Sequence, residues 1–151
     1  MQTKDYSEEL KKNGLKYTKQ RAAILEILQE SNQPITAEQV YSELKEKNIH
    51  PNLSTIYRNF YFLCEKELVN KLIMTGENST FYEINRLVHR HYLVCLGCKK
   101  ILAIDDCPLE RYEELLAEET NFVITGHKLD IFGYCSECQK KDLTKQHNKN
   151  S

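Results

Sequence analysis

The chain has 151 residues, 21 Lys/Arg against 22 Asp/Glu and a formal net charge of −1 at pH 7, so overall charge makes no case for nucleic acid. No apolar run is long enough to span a membrane, and Met1-Gln2-Thr3-Lys4-Asp5 lacks the features of a secretion signal. The six cysteines are therefore expected in a reducing, cytoplasmic setting, which favours metal over disulfide. Charge is unevenly placed: residues 81–138 carry 6 Lys/Arg and 10 Asp/Glu, so any DNA contact must use a local patch.

Ser7 to Lys12 reads as a short helix ended by Gly14. Thr18 is a suitable N-cap for the next, whose Ala22, Ile24, Leu25 and Leu28 recur at helical spacing until Ser31-Asn32-Gln33-Pro34 breaks it. Thr36-Ala37-Glu38-Gln39 has capping-box form and opens a helix with Val40, Tyr41 and Leu44 inward, closed by Asn48. Pro51-Asn52-Leu53-Ser54 opens a further helix. Its Ile56, Phe60, Leu63 and Cys64 should pack inward, with Thr55, Tyr57, Arg58, Asn59 and Tyr61 toward flanks or solvent. Residues 68–74 and 80–84 read as a β-hairpin around a turn at Gly76-Glu77-Asn78.

Compact helices followed by a hairpin are the pattern of a winged helix-turn-helix, whose recognition helix enters the major groove. Lys16 and Arg58 can neutralise phosphates, Ser54 and Asn59 can hydrogen-bond, and Tyr57 offers a ring to a thymine methyl. A plain helical bundle with a solvated polar face fits the same pattern.

In the second half, strands are expected at 92–95, 100–104, 122–124 and 128–132, with a helix from Pro108 through Leu109, Tyr112, Leu115 and Leu116 to about Glu119. An exposed strand edge there would suit pairing across a two-fold axis. Residues 139–151 are polar, without apolar periodicity, and read as a disordered tail.

The strongest chemical signal is Cys95-Leu96-Gly97-Cys98, answered after 36 intervening residues by Cys135-Ser136-Glu137-Cys138. Two CxxC pairs can build one closed four-thiolate cage, the structural-zinc arrangement; two disulfides or buried thiols are the alternative. His89 and His91 lie two apart, so on a strand both imidazoles share a face. With His127 and with Glu110 in the first turn of its helix, they offer three nitrogens and a carboxylate to a divalent ion. Such binding needs neutral imidazoles and should weaken as pH falls toward ~6.5.

Gly14-Leu15-Lys16-Tyr17-Thr18-Lys19-Gln20-Arg21, Ser54-Thr55-Ile56-Tyr57-Arg58, Phe81-Tyr82-Glu83, the HxH and both CxxC pairs together resemble the ferric-uptake regulator superfamily of bacterial metal-dependent repressors, over nearly the whole chain. The resemblance implies an α+β homodimer: a winged-helix DNA-binding domain (1–84), a hinge (85–88) and a small α/β dimerisation domain (89–138) with a four-cysteine zinc site. It implies Lys16, Ser54, Thr55, Tyr57 and Arg58 at operator DNA. It also implies structural zinc on Cys95, Cys98, Cys135 and Cys138, and a regulatory metal on His89, His91, Glu110 and His127.

The family's hinge site is incomplete here. Arg90 and Tyr92 hold two of its ligand positions, leaving Glu83 unless a one-residue shift recruits His89 and His91 to it. Asp106-Cys107-Pro108, Gly126-His127-Lys128-Leu129 and Phe132-Gly133-Tyr134-Cys135 resemble the zinc-uptake regulator branch, so Zn(II) is favoured, with Fe(II) second and Mn(II) also compatible. The hinge ligands whose oxidation would report peroxide are missing, so the peroxide-sensing branch fits least. Cys107 is read as packing at a helix start and Cys64 as a core thiol. A zinc hydrolase would need a general base and an H-E-x-x-H-type arrangement, neither of which is identifiable, and a thiol oxidoreductase would need the caged cysteines free.

Overall fold

The computed structural model describes residues 5–74, 78–87 and 89–141. Residues 76 and 77 of the expected turn, position 88 of the expected hinge and 142–151 of the expected tail lie outside these. Chain contacts divide the protein into two compact units, one ending at Leu87 and the other beginning at Val88.

In the first unit, α1 (Tyr6–Lys12) starts where the Asp5 carboxylate accepts the Ser7 N–H at 2.9 Å, and the chain leaves it through Gly14 at φ +73°. Thr18 caps α2 (Lys19–Glu30) by accepting the Arg21 N–H. After β1 (Ile35–Thr36), which the apolar pattern did not signal, α3 (Ala37–Glu46) opens with the full capping box: Thr36 Oγ1 accepts the Gln39 N–H, and Gln39 Oε1 accepts the Thr36 N–H. Asn48 at φ 58° closes it. Asn52 caps α4 (Leu53–Glu65).

Antiparallel strands β2 (Val69–Ile73) and β3 (Thr80–Ile84) follow, and β1 adds to the other side of β3, giving the order β1-β3-β2. One apolar cluster joins all four helices to this sheet. Leu10, Ile24, Val40, Leu44, Ile56, Phe60 and Leu63 are 0–1 % exposed, and Phe60 stacks on Tyr82 of β3 at 3.9 Å between ring centroids. That stack fixes the hairpin against α4.

One expectation for α4 changes. Asn59 is buried rather than flanking, because its Oδ1 accepts Arg21 Nε–H at 3.1 Å, and a satisfied amide can be enclosed. Cys64 packs against the core as expected, half-buried, with its thiol pushed up by that burial.

The second unit contains β4 (His91–Cys95), β5 (Ile101–Ile104), α5 (Glu110–Thr120) and β6 (Asp130–Gly133). The sheet order is β5-β4-β6, with β5 antiparallel and β6 parallel to β4. Residues 122–124 form no strand: Asn121 turns the chain at φ 57°, no neighbour pairs with them, and Phe122 and Val123 lie 73 % and 91 % exposed. Strand structure begins only at Asp130, not Lys128, and Ile131 and Phe132 are both exposed, so successive side chains do not alternate between wet and buried faces. No residue of α5 is buried. Residues 136–141 are helical, where a disordered tail was expected from 139.

Phe60→Ala should lower the unfolding free energy of the first unit by about 3–5 kcal/mol, the usual cost of deleting a buried ring. Thr36→Ala should cost about 1 kcal/mol through the lost cap. Urea titration followed by far-UV circular dichroism checks both.

Candidate metal centres

Among the described residues, two groups of His and Cys side chains converge closely enough to share an ion, and both lie in the second unit. The first is Cys95, Cys98, Cys135 and Cys138. Cys95 ends β4, and a tight turn bonded Lys99 N–H to Cys95 O at 2.9 Å brings Cys98 back beside it. Parallel pairing of β6 with β4 ends at the Cys95–Gly133 register, which delivers Cys135 to the same place, and the helical turn from Ser136 carries Cys138 inward.

Cys98 Sγ and Cys135 Sγ are 3.8 Å apart. Four sulfurs about 2.3 Å from one centre in a tetrahedron stand about 3.8 Å from one another, so this spacing fits Zn(II). Gly97 is required by the same geometry. A Cβ on it would lie 2.7 Å from Cys138 Sγ and 3.0 Å from Cys138 Cβ.

The cage's electrostatics are lopsided. Backbone N–H groups of Cys135 and Cys98 pull the Cys95 thiol down to about 6, and the Cys135 N–H lies 3.3 Å from its sulfur. Cys138 is pushed up to about 12, first by its hydrogen bond with the Cys135 sulfur and then by burial. Protein dipoles favour the Cys95 thiolate, while the surroundings of Cys138 oppose its ionisation. A cation is what lets the whole set ionise.

The second group is His89, His91, His127 and Cys107, whose donor atoms all lie within 4.8 Å of one another. The three Nε2 atoms form a triangle with sides of 3.0, 2.9 and 2.9 Å. Cys107 Sγ stands 3.2 Å from His91 Nε2 and 3.3 Å from His127 Nε2. His91 is 2 % exposed on β4, and burial, reinforced by the neighbouring His89 and His127, lowers its pKa and keeps it neutral.

Outer partners settle which ring nitrogen faces inward. His127 Nδ1 hydrogen-bonds the Glu113 carboxylate, so Nδ1 carries the proton and Nε2 presents its lone pair to the triangle. His91 makes a backbone hydrogen bond with Leu129 in addition to its Nε2 contacts. Lone pairs held this near one another repel unless a cation lies among them, so the donor chemistry fits a divalent ion.

Glu110 is not in the converging group. It is the first residue of α5 and is exposed on the rim of the cleft formed by His89, Cys107 and His127. Glu113, one turn further and on the same face of α5, instead reaches the back of His127. Sequence reasoning did not single out Glu113 or Gly97, and it gave Cys107 a packing role. The signal available for Cys107 was its type: a thiol ahead of a helix in a chain already rich in histidine ligands.

The residues expected at DNA lie in the first unit. Lys16, Ser54, Tyr57 and Arg58 are exposed, and Thr55 is half-buried with its hydroxyl donating to the Asn52 cap at 2.8 Å. The Tyr57 hydroxyl donates to Glu38 Oε1 at 2.8 Å, and that bond, more than burial, raises its pKa. Arg21 joins the loop before α2 to α4: its Nη1 donates to Lys16 O at 2.8 Å while its Nε holds Asn59, with the guanidinium 5.6 Å from the Phe62 ring. Glu83 sits on β3 opposite Asn70.

Residues 12–132 match the model of the ferric uptake regulator family. The chain belongs to that family. Its members are metal-responsive transcription regulators, not enzymes, which removes the hydrolase and oxidoreductase alternatives. The ferric uptake regulation protein of Campylobacter upsaliensis is 35 % identical over 138 residues, covering 90 % of this chain and 88 % of the relative. The peroxide operon regulator of Bacillus subtilis is 35 % identical over 139 residues, covering 92 % and 94 %. The structure of the Helicobacter pylori ferric uptake regulator Fur, described as having three functional metal-binding sites, superposes with a TM-score of 0.78 at 26 % identity, over 92 % of this chain and 95 % of that one. Both iron and peroxide regulators thus stand at similar distance, and neither name selects a branch.

Gly97→Ala should force the two knuckles apart and speed zinc loss to a chromophoric chelator by at least tenfold, whereas Gly126→Ala, with open space around its Cβ, should release zinc at the wild-type rate. In zinc-loaded protein the four cage thiols should resist iodoacetamide and become reactive after chelation, read by peptide mass spectrometry.

Proposed function

We propose that this chain is a zinc-responsive repressor that acts in the cytoplasm as a homodimer on operator DNA of metal-uptake genes. The observation carrying the reading is the triangle of His89, His91 and His127 Nε2 atoms beside a separate four-cysteine cage. One donor set is closed and all sulfur, suited to a permanent ion. The other is nitrogen-rich and opens to a cleft, suited to an ion that exchanges.

On this reading residues 1–84 bind DNA, 85–88 form the hinge and 89–138 form the dimerisation domain. Lys16 and Arg58 meet phosphates while Ser54, Thr55 and Tyr57 face the groove from the start of α4 and the residues around it. Support for a dimer comes from the second unit's surface. Leu102, Tyr112, Leu115, Phe122, Val123 and Tyr134 are each at least 49 % exposed, more apolar area than a small monomeric domain ordinarily leaves in water.

A divalent ion supplies a crosslink among the donors that hold it. His89 and His91 then tie the start of β4 to His127 in the segment between α5 and β6, and Glu113 extends the tie to α5. Restricting these elements favours one arrangement of the dimer over others, so the loaded protein binds DNA and the unloaded protein releases it. A coupling of roughly 1–3 kcal/mol corresponds to ~5–150-fold in DNA affinity. Ferrous iron is the second reading, favoured by the name of the Campylobacter relative.

The test uses a duplex selected from a random-sequence library by zinc-loaded protein, with affinity measured by fluorescence anisotropy at buffered free Zn(II), Fe(II) or Mn(II). Zn(II) should tighten binding ~5–150-fold. His89→Ala with His127→Ala should abolish that response while leaving cage zinc in place. An unchanged response in the double variant, or DNA binding indifferent to every metal and chelator, would overturn the proposal, and a response to Fe(II) alone would transfer it to iron.

A further inference from the structure

We infer that Cys107 is the fourth ligand of the histidine centre, making it a three-imidazole, one-thiolate site selective for a tetrahedral, sulfur-tolerant ion. This deepens, and rests on, the assignment of that centre as the metal-responsive one.

Three observations carry it. The Cys107 sulfur lies 3.2 and 3.3 Å from two of the converging nitrogens, within hydrogen-bond reach of both and close enough for all three atoms to share one ion. The two carboxylates lining the cleft are otherwise disposed: Glu113 is hydrogen-bonded to the far nitrogen of His127, and Glu110 is exposed on the rim; Asp130, near His91, is paired with Lys128. Cys107 is half-buried just ahead of α5, between strand β5 and that helix, so its backbone is held close to β4 and its His91 while its sulfur remains reachable from the cleft.

The consequence is a change of metal preference. A thiolate with three imidazoles suits zinc or cobalt, while manganese and magnesium favour oxygen donors and six ligands. Binding releases the thiol proton, and the single thiolate charge leaves the centre with a net charge of +1. Glu113 then acts as a positioning residue, holding the His127 ring with Nε2 inward.

The experiment adds Co(II) to full-length protein whose cage already holds zinc. The wild-type chain should take up one further equivalent with intense tetrahedral visible bands and a near-ultraviolet sulfur-to-cobalt charge-transfer band. Cys107→Ser should lose the charge-transfer band and bind Co(II) and Zn(II) at least about 10-fold more weakly, with cage zinc and circular dichroism unchanged. Cys107→Asp should narrow the gap between zinc and manganese. Glu110→Gln should leave the spectrum as in wild type, and Glu113→Gln should weaken binding about 10-fold while keeping the sulfur band.

Weak octahedral bands without charge transfer in the wild-type chain would overturn the inference, and so would a Cys107→Ser spectrum matching wild type. The wild-type spectrum decides the matter even if a variant fails to fold. DNA affinity of the same samples is a separate readout. Metal-indifferent DNA binding would sink the repressor reading and leave the ligand assignment to the spectrum, whereas metal-dependent binding without a sulfur band would sink only Cys107.

Discussion

The second unit cannot be held together by apolar burial alone. Its buried side chains, among the described residues, are His91, Tyr92, Val94, Cys95, Ile101 and Cys138, and α5 buries none. Two of those six are cage cysteines and a third is a histidine of the other centre. A sheet of three short strands with so thin a core gains from ligand crosslinks, the means small domains use, alongside any cover its exposed apolar residues receive from a second copy. The cage joins the end of β4, the turn before β5 and the segment after β6, fixing the sheet at one end. The first unit needs no such help, since its apolar cluster spans four helices and a sheet.

The two centres divide the work by donor type and by what stands behind the donors. In the cage, backbone N–H groups and neighbouring thiols face the sulfurs, and Gly97 admits Cys138 to a distance no side chain would allow. In the histidine centre, carboxylate and backbone partners behind the rings determine which nitrogen faces inward. Its converging donors come from β4 and the residues just ahead of it, the loop before α5 and the irregular segment 121–129. A segment lacking strand pairing of its own gains order from the ligand it contributes, so ion binding there changes the freedom of the chain more than it would on a rigid strand.

Much of the first unit was legible because its signals are local. Thr18, Thr36 and Asn52 each stand at a cap, and the apolar spacing marks the buried stripe without knowledge of the partner. Asn59 and Arg21 were not legible, because a buried amide–guanidinium pair 38 positions apart has no local signature. In the second unit, the CxxC spacing announced the cage. The three histidines expected at one site do converge, whereas Glu110 stands apart from them on the rim. Helix α5 starts at Glu110 rather than near Pro108, and Glu113 stands behind His127. Residues 122–124 have strand-forming side chains yet lack a neighbour to pair with, which propensity cannot reveal.

Arg21 has a consequence for how a duplex would be met. By gripping the Lys16 carbonyl with one nitrogen and Asn59 with another, it makes the loop ahead of α2 and the body of α4 a single rigid piece. Two of the Arg21 nitrogens are thereby committed within the unit, one of them at the surface. The loop carrying Lys16 is tied to α4, and a surface held in this way has less chain entropy to surrender to a partner.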